Sequence, residues 1–515
     1  MTIITFLAFT ILVGVVSYIL TGAKSNSSAD NYFLGGRSLT AGVIAGSLLL
    51  TNLSTEQIVG LNGQAYTEGI LVMCWETLAA IAMVVTALYL LPRYLKGGIT
   101  TVPQFLEDRY DTMTKTMASG LFLTGYVVVL LPIVLYSGAL ALITMFDVSA
   151  AMGISETAAL WLGVWCIGII GSVYAIFGGL KAVAISDSIN AIGLLIGGIM
   201  IPVLGLLHIG DGSIGEGLNL LYDNDPSKFK ARGDADASVP FSTIFTGMML
   251  VQLFYWGTNQ AIIQRALGAK NLKEGQKGLL LAAGVKILGP LILVLPGMIA
   301  FYLFEIGDGT GQITLADQAY PELVKTVLPD YLVGFFAAVL FGAIMSSFNS
   351  ALNSSVTLFG LDIYKEHINP DATDQQVIKY GKSFGIFLAF LAMFIAPLIA
   401  NAPDGLFGYL QEINGCYSIP ILTIIVIGYL TKRVPALAAK IAITLGAVLY
   451  AISQFVLKPH VFGEENYPHF LHVMAILFVM NVLIMLAIGA IKPRATDFEL
   501  SYTCLLYTSP SPRDS

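Results

Sequence analysis

Long apolar segments separated by short polar loops run along almost the whole chain and predict an all-helical membrane protein. Most of these segments reach the ~20 residues that a helix needs to cross a bilayer. They do not alternate apolar and polar residues as the strands of a membrane β-barrel do. We predict thirteen spans, at residues 3–20, 41–65, 71–91, 118–144, 158–177, 182–207, 241–263, 278–303, 331–359, 381–400, 407–430, 435–456 and 470–491.

Two of these spans carry a polar interruption. In the second span, residues 51–57 read TNLSTEQ between apolar flanks, and in the seventh span residues 257–260 read GTNQ. An unmet polar group in hydrocarbon costs several kcal/mol, so such stretches are expected only where a helix breaks and lines a cavity. Interrupted helices in corresponding positions of two halves indicate an inverted-repeat secondary transporter with its solute near the midplane.

The spacing of the two interruptions sets the predicted domain organisation. They lie five spans apart, and because five is odd, the second half enters the membrane upside down relative to the first. Spans two to six (41–207) and seven to eleven (241–430) form the two repeats, joined by an outside loop (208–240). Residues 1–40 supply a first span and an inside linker, and 431–494 supply additional spans. Residues 495–515 resemble translated sequencing-adapter read-through, so we expect a truncation near Asp497.

Composition and charge narrow the class further. Hydrophobic residues make up 56% of the 515 residues and charged residues 11%, against ~25% charged in soluble chains. The net charge of -7 forms no basic patch, which excludes nucleic acid as a partner. The chain contains no nucleophile triad, P-loop or metal motif, so we expect no enzyme activity. The four cysteines, Cys74, Cys166, Cys416 and Cys504, are far apart and predict neither a disulfide nor a metal site.

The distribution of lysine and arginine predicts the orientation. With the N-terminus outside, 19 of these residues fall on inside loops and span ends, and 5 fall outside: Lys228, Lys230, Arg232, Lys325 and Lys458. The first span lacks a basic n-region and a cleavage site, so we expect it to be retained. We predict a multi-pass protein of the cell (inner) membrane, with the lipid bilayer as its surroundings and no obligate protein partner.

Several ionisable residues fall within spans. Glu76, Asp187 and Lys286 stand among apolar neighbours, where a charge is costly and is expected to be functional. Two alternatives remain open: Glu76 and Lys286 pair only to lock helices together, or Asp187 is solvated at the inside edge. Glu56 and Glu412 adjoin amides in polar stretches, and we expect both to be partly solvated.

Amide side chains complete a candidate solute site. Asn52, Gln57, Gln252 and Gln411 both donate and accept hydrogen bonds, and a carboxylate accepts strongly. That mixture suits a polyhydroxylated ligand, because each of its hydroxyls also does both. The aromatic residues Trp75, Tyr255, Trp256 and Phe407 are candidates for stacking on the solute or for lids, the alternative being ordinary helix packing.

The ninth span supplies a candidate sodium site. A helix uses its own carbonyls in its hydrogen-bond ladder, so extra oxygen ligands come from hydroxyls and from unwound backbone. Ser346 and Ser347 provide hydroxyls, and the break in the second span frees carbonyls near Leu50 and Leu53. The alternative is that the two serines serve only helix packing.

Five motifs give the chain a family resemblance that extends from about residue 31 to residue 494. They are residues 31–39 (NYFLGGRSL), 52–57 (NLSTEQ), 255–260 (YWGTNQ), 263–265 (IQR) and 362–366 (DIYKE). The chain resembles the solute:sodium symporters, in particular the bacterial sodium/galactose and sodium/glucose symporters and their YidK-like branch. The resemblance implies the five-plus-five inverted-repeat fold with flanking helices. It also implies one more span after residue 491, in agreement with the expected truncation.

The resemblance also implies roles for individual residues. It assigns sugar contacts to Asn52, Gln57, Glu76, Lys286 and Gln411, the inner gate to Tyr255, and the outer lid to Trp75 and Phe407. The sodium site corresponds to Ala343, Ser346 and Ser347 with backbone from Leu50 and Leu53, and Asp187 corresponds to a carboxylate on the sodium path. The chain departs from the galactose symporter at Gln252, which replaces an asparagine, and at Ala79, which replaces a serine.

We therefore expect sodium-coupled uptake of a hexose, such as galactose or glucose, by alternating access. One rival keeps sodium but changes the solute to an inositol, an acidic sugar or an amino acid. A second rival is a transporter-like sensor module, since such modules are sometimes fused to signalling kinases. Reading the intact gene past Asp497 would distinguish the sensor from the transporter.

Overall fold

The computed structural model describes residues 1–21, 29–306, 313, 315–401 and 406–499. Within these residues the regular structure is helical, apart from an isolated bridge between Leu39 and Ala269. The helices of the first half are α1 Thr2–Thr21, α2 Ala29–Leu34, α3 Ala41–Asn52, α4 Thr55–Glu68, α5 Cys74–Val85, α6 Leu91–Lys96, α7 Val102–Arg109, α8 Thr112–Gly125, α9 Leu131–Met145, α10 Val148–Met152, α11 Glu156–Ile209 and α12 Ile214–Asn224. Those of the second half are α13 Gly247–Gly257, α14 Gln260–Leu267, α15 Leu272–Lys286, α16 Gly289–Leu293, α17 Leu295–Phe301, α18 Ala319–Val327, α19 Asp330–Thr357, α20 Asp374–Ile395, α21 Leu406–Leu430, α22 Ala436–Ile452 and α23 Phe470–Ile491.

The described part of the chain has 10 helical stretches that are long and apolar enough to cross a membrane. Two shorter apolar helices, Thr2–Val16 and Ala41–Asn52, coincide with the predicted first span and with part of the second. The class of an all-helical membrane protein is therefore confirmed. The number of thirteen spans stays a prediction, and the tail at residues 500–515 lies outside the described residues.

Helix α11 contains the predicted fifth and sixth spans within one continuous run of helical backbone, Glu156–Ile209. Gly171 lies against Phe348 and Asn190 lies against Gly342, both on α19. A straight helix would separate Gly171 from Asn190 by about 28 Å, whereas their two partners are only about 9 Å apart. The chain must therefore reverse between these two points, and α11 comprises two antiparallel arms.

The predicted interruption of the second span is a break between α3 and α4. Leu53 and Ser54 leave the helical conformation, with Ser54 extended at φ -87° and ψ 179°. The amide of Leu53 still donates to Leu49, so the carbonyls that follow Leu49 in α3 have no partner in a continuing helix. The break thus exposes backbone oxygen in the interior of the protein, as the polar sequence predicted.

The seventh span is broken at the corresponding place. α13 ends at Gly257, and α14 begins after Asn259, whose side chain accepts a hydrogen bond from the amide of Ala261 at 3.0 Å. Tyr126 on the connection between α8 and α9 donates to the same Asn259 oxygen at 2.7 Å. The break is therefore fixed by its own cap and by a neighbouring helix.

A buried arginine holds the far end of α21. Arg109, with no exposed surface, donates to the carbonyls of Gly428 at 2.9 Å, Thr431 at 3.0 Å and Val434 at 3.1 Å. These carbonyls belong to the last turn of α21 and the loop after it, where helical partners are missing. The guanidinium thus satisfies the end of this helix and interacts favourably with its dipole.

Candidate functional site

A cavity lies between the two broken helices and draws its walls from α3, α4, α5, α13, α15 and α21. Its lining contains all six side chains predicted to contact the solute. The lining residues are Asn52, Gln57, Trp75, Glu76, Ala79, Val251, Gln252, Tyr255, Trp256, Lys286 and Gln411. Residues that are up to 359 positions apart in sequence are brought together here, which gives the candidate site its physical location.

Glu76 and Lys286 form an ion pair in the wall of this cavity. Lys286 Nζ lies 2.5 Å from Glu76 Oε2, and both side chains are almost completely buried. Gly289 makes room for the carboxylate, since a Cβ at that position would overlap Glu76. The pair joins α5 to α15, as the alternative interpretation required, yet both residues also line the cavity. It presents polar atoms to a solute without presenting a net charge.

Several polar atoms of the cavity wall are buried without a hydrogen-bond partner among the described residues. They include two acceptors, Asn52 Oδ1 and Gln57 Oε1, and one donor, Trp75 Nε1. An unsatisfied buried polar atom costs about 1–3 kcal/mol, so it is tolerated where a ligand or water can satisfy it. The wall therefore offers both acceptors and a donor, which matches the hydrogen-bonding capacity of hydroxyl groups.

Aromatic residues close the cavity. The rings of Trp75 and Phe407 meet edge to face with their centroids 5.2 Å apart, and Gln252 Nε2 donates to the Trp75 carbonyl at 2.8 Å. Towards α14, Asn52 Nδ2 donates to the Tyr255 hydroxyl at 3.3 Å. The enclosed volume is about 20 Å³, roughly enough for one water molecule. A solute of sugar size fits this space only if its walls move apart.

Phe407 also borders a much larger open space, the vestibule, with a volume of about 1120 Å³. Its walls include Gln64, Glu68, Ala237 and His469, so it reaches the loops at residues 235–238 and 465–470. Glu412 and Lys458 pair across it at 2.8 Å and are both partly exposed. The predicted solvation of Glu412 is thus confirmed. The Trp75–Phe407 contact thus lies between the vestibule and the cavity.

His469 at the rim of the vestibule gives the protein a predicted pH dependence. Its Nδ1 accepts from the amide of Leu471 at 3.3 Å and its Nε2 donates to the Ser238 carbonyl at 3.1 Å, so the neutral ring caps α23. Burial lowers the pKa of His469 to about 4, below the ~6.5 of an unfolded chain. Its contribution to stability is therefore complete above about pH 6.5 and is lost as the pH falls towards 4.

We expect the free energy of unfolding to fall by roughly 2–3 kcal/mol across this interval. Thermal melts of the purified protein at a series of pH values measure the effect. His469→Asn keeps a capping side chain that does not titrate, and should flatten this part of the profile. An unchanged profile in His469→Asn would assign the pH dependence to other groups.

The candidate sodium ligands meet where α3 ends beside α19. Ser347 Oγ donates to the Thr51 carbonyl at 2.8 Å, and Ser346 Oγ lies 3.0 Å from Thr51 Oγ1. The remaining predicted ligands, Leu50, Leu53 and Ala343, are buried, and Leu50 and Leu53 lie close to Thr51 in the chain. Hydroxyl and carbonyl oxygens thus converge at the helix break, and oxygen is the ligand that a hard cation such as Na⁺ requires.

Thr51 takes part in this group although the sequence analysis did not assign it a role. It belongs to the polar interruption, but its spacing alone gives no reason to choose its hydroxyl over those of Ser54 or Thr55. Only the packing of α3 against α19 brings Thr51 Oγ1 within 3.0 Å of Ser346 Oγ. The contact between the Thr51 and Ser346 hydroxyls is therefore known only from the tertiary structure.

The environments of two acidic residues differ from the sequence-based alternatives. Asp187 is 3% exposed, so it is not solvated at the membrane edge; it accepts from Ser47 Oγ at 2.6 Å and lies 3.6 Å from Arg265 Nη2. Glu56 is 4% exposed, so the expectation that it is partly solvated was wrong. Packing of neighbouring helices, which a single-chain pattern does not report, buries both carboxyl groups. Arg265 was not predicted to take part.

Comparisons with known proteins extend over nearly the whole chain. The family profile described as "Sodium:solute symporter family" matches residues 32–446. The chain is 49% identical to the "Uncharacterized symporter YidK" of Escherichia coli (strain K12), over 96% of this chain and 85% of that protein. It is 33% identical to the "Sodium/glucose cotransporter" of Vibrio parahaemolyticus, over 84% of this chain and 81% of that protein. A solved structure of a substrate-bound, outward-open Na⁺-coupled sialic acid symporter aligns with a TM-score of 0.78 at 20% identity, covering 97% of this chain and 99% of that one. This last likeness shows a shared fold.

Proposed function

Because the chain belongs to the sodium:solute symporter family, we propose that it carries a neutral, polyhydroxylated solute of hexose size into the cell together with sodium. Family membership makes it a membrane-embedded secondary transporter, not an enzyme, with sodium as the coupling ion and a small molecule as the solute. The hexose, the inner-membrane location and the outside N-terminus are parts of the proposal. The spacing of lysines and arginines supports the orientation.

The observation that carries the proposal is the composition of the cavity wall. Amide and carboxylate side chains line the space, and the wall residues carry unpaired acceptors on Asn52 and Gln57 and an unpaired donor on Trp75. Such a wall can satisfy several hydroxyls at once, and the Trp75, Tyr255 and Trp256 rings supply apolar faces for a sugar ring. The sodium/glucose cotransporter at 33% identity supports a sugar as the solute.

The Glu76–Lys286 pair argues against an acidic sugar or an amino acid. A solute carboxylate needs an available cation, but the ammonium of Lys286 is already 2.5 Å from the Glu76 carboxylate. Breaking a buried pair would leave one charge uncompensated in a medium where that costs several kcal/mol. An inositol is as neutral and as rich in hydroxyls as a hexose, so it is the second candidate. The replacements Gln252 and Ala79 lie at the wall and are candidates for setting this choice.

Coupling follows from the dual use of one unwound segment. Its backbone and the Thr51 hydroxyl adjoin Ser346 and Ser347, while its side chains Asn52 and Gln57 line the cavity. Sodium bound between α3 and α19 would hold the segment in one conformation. The solute would then meet an ordered wall, so sodium binding lowers the entropy that the solute must lose on binding.

The electrochemical gradient of sodium is large enough to drive such uptake. One charge moving through 100 mV contributes ~2.3 kcal/mol. A tenfold sodium gradient adds ~1.4 kcal/mol. For one sodium ion per solute, the sum supports a solute gradient of roughly several hundred-fold.

Uptake by membrane vesicles tests the proposal. Vesicles that contain the protein should accumulate labelled galactose or glucose when an inward sodium gradient is imposed, and competition with an inositol, an acidic sugar and an amino acid should rank the solutes. Potassium in place of sodium is the matched condition. Equal uptake in both salts would contradict sodium coupling, and competition by the acidic sugar alone would contradict a neutral solute.

Ser346→Ala is expected to raise the sodium concentration for half-maximal uptake by roughly tenfold, because one oxygen ligand is lost. The sodium dependence of initial uptake rates measures the effect. Ser355→Ala is the matched control: Ser355 is equally buried on the same helix but bonds locally to the Ala351 carbonyl at 2.8 Å. A similar sodium requirement in both variants would remove Ser346 from the site.

The repeat boundaries 41–207 and 241–430 are retained as a proposal. The breaks between α3 and α4 and between α13 and α14 occupy corresponding positions in these two segments, as an inverted repeat requires. The two segments would then rotate relative to one another around the cavity during transport.

A further inference from the structure

Arg265 is a fully buried arginine on α14, away from the walls of the solute cavity. Its side chain is 1% exposed. A buried guanidinium is tolerated only when its donors are satisfied and its charge is compensated. The partners that Arg265 uses therefore indicate what holds this part of the transporter together.

Those partners come from three other helices. Nε donates to Ser47 Oγ on α3 at 2.7 Å, Nη2 donates to Ser350 Oγ on α19, and Nη2 lies 3.6 Å from Asp187 Oδ2 on α11. Ser47 donates in turn to Asp187 at 2.6 Å. One side chain thus ties α14 to α3, and ties both of these half-helices to α11 and α19.

The neighbouring residue strengthens the same contact. Gln264 Nε2 donates to the Phe33 carbonyl at 2.8 Å and to Thr357 Oγ1 at 3.1 Å, and Ser354 donates to Gln264 Oε1 at 2.7 Å. The end of α14 is bridged to the chain before α3 by Leu39 and Ala269. The side of the protein opposite the vestibule is therefore closed by α3 and α14 held against α19, with Arg265 at the centre.

The same arginine is connected to the candidate sodium ligands. Ser350, which accepts from Arg265, donates to the Ser346 carbonyl and lies 3.4 Å from Thr51 Oγ1. An arginine can only donate, so it fixes the direction of this chain of hydrogen bonds. With the Ser350 proton committed to the Ser346 carbonyl, Ser350 cannot donate to Thr51. The Thr51 and Ser346 hydroxyls are left to turn lone pairs towards a cation.

We propose that Arg265 is a positioning residue that keeps α3 and α14 closed against α19 while sodium is bound at the Ser346–Ser347 oxygens. It acts through Ser350 and Ser47 and does not contact the solute or the ion. Departure of sodium frees the Ser346 and Thr51 hydroxyls to form other hydrogen bonds, which weakens the hold on Ser350 and lets the half-helices separate from α19. Sodium release and opening on this side are thereby linked.

Hydrogen–deuterium exchange of the full-length protein in detergent tests the proposal without a solute. In sodium, the wild type should protect α3 (41–52) and α14 (260–267) more than it does in potassium. Arg265→Lys keeps the charge but loses the several donors of the guanidinium. In sodium, α3 and α14 of this variant should exchange roughly tenfold faster than in the wild type. Ser47→Ala removes one bridging hydroxyl with little change in size and should show the same pattern more weakly. The vestibule-side halves, α4 (55–68) and α13 (247–257), should stay as in the wild type.

Arg109→Lys is the matched control, because Arg109 is equally buried but caps α21 away from the sodium ligands. It should speed exchange around residues 428–434 and leave the sodium-dependent protection of α14 unchanged. If Arg265→Lys speeds exchange equally in α3 and α14 and in the vestibule-side helices α4 and α13, Arg265 serves only general stability and the proposal is overturned. Wild-type protection of α3 and α14 in both Arg265→Lys and Ser47→Ala would also overturn it.

The inference rests on the proposed sodium site, and the same experiment separates the two. If sodium protects no segment of the wild type and drives no uptake, the proposed ion site fails. If sodium protects the wild type and Arg265→Lys equally, the ion site stands and only the role of Arg265 fails.

Discussion

Lys286→Met is expected to lower the free energy of unfolding by about 3–5 kcal/mol and to reduce uptake to background. The substitution removes the ammonium that lies 2.5 Å from Glu76 and leaves a carboxylate in a wall that is about 1% exposed. An uncompensated charge at that depth either destabilises the packing of α5 against α15 or takes up a proton. Thermal unfolding in detergent and uptake by vesicles measure the two effects.

The double variant Glu76→Gln/Lys286→Met separates the two effects. With both charges removed, the buried charge disappears and most of the lost stability should return, since buried pairs are often replaceable without loss. Uptake should not return, because the cavity wall has lost the donors of the Lys286 ammonium and the strong acceptors of the Glu76 carboxylate. A stable double variant with normal uptake would show that the pair only joins helices, the alternative that the sequence left open.

Gln57→Ala is expected to reduce solute uptake by roughly 100-fold with little change in stability. The Gln57 side chain lines the cavity and its Oε1 is buried without a partner among the described residues, so its amide is free to bind solute hydroxyls. Losing two such hydrogen bonds costs about 3 kcal/mol, or a factor of about 100 in affinity. Initial uptake rates over a wide range of solute concentrations measure the loss.

Gln64→Ala is the matched control for this variant. Gln64 lies on the same helix, α4, but its side chain borders the vestibule and not the cavity. Its removal should leave uptake within about twofold of the wild type. Equal effects of the two substitutions would indicate that the solute binds in the vestibule, or that α4 tolerates neither change.

The broken helices could be predicted from sequence because lipid offers no hydrogen-bond partners to polar groups. The stretch from Thr51 to Gln57 cannot cross hydrocarbon as a regular helix without exposing polar groups, so the pattern itself indicates a break. The same reasoning identified Glu76, Lys286 and the amides as interior groups, and they do converge on one cavity. The residues themselves also indicated Ser346 and Ser347 as candidate sodium ligands and several aromatic residues as candidate lids, and the family resemblance added Ala343 and the division into an inner gate and an outer lid.

Contacts between distant helices could not be predicted in the same way. Nothing local to Arg265 indicates Ser47 or Ser350 as its partners, and nothing in the sequence distinguishes the Thr51 hydroxyl as the one that contacts Ser346. The sequence predicted two spans, and therefore a reversal of the chain, within residues 156–209. It did not predict that the backbone stays helical through the reversal, which depends on how the two arms of α11 pack along α19.

The sequence by itself therefore determined the class of an all-helical membrane protein, the places where two of its helices break and the polar side chains that cannot face lipid. The tertiary structure decided which of those side chains meet. It placed Glu76 against Lys286, placed Gln57 and Trp75 in the wall of one cavity with Phe407 against Trp75, and buried Asp187 beside Arg265. The physical reason is that the cost of a polar group in hydrocarbon is a property of each residue, whereas the partner that offsets that cost is a property of helix packing.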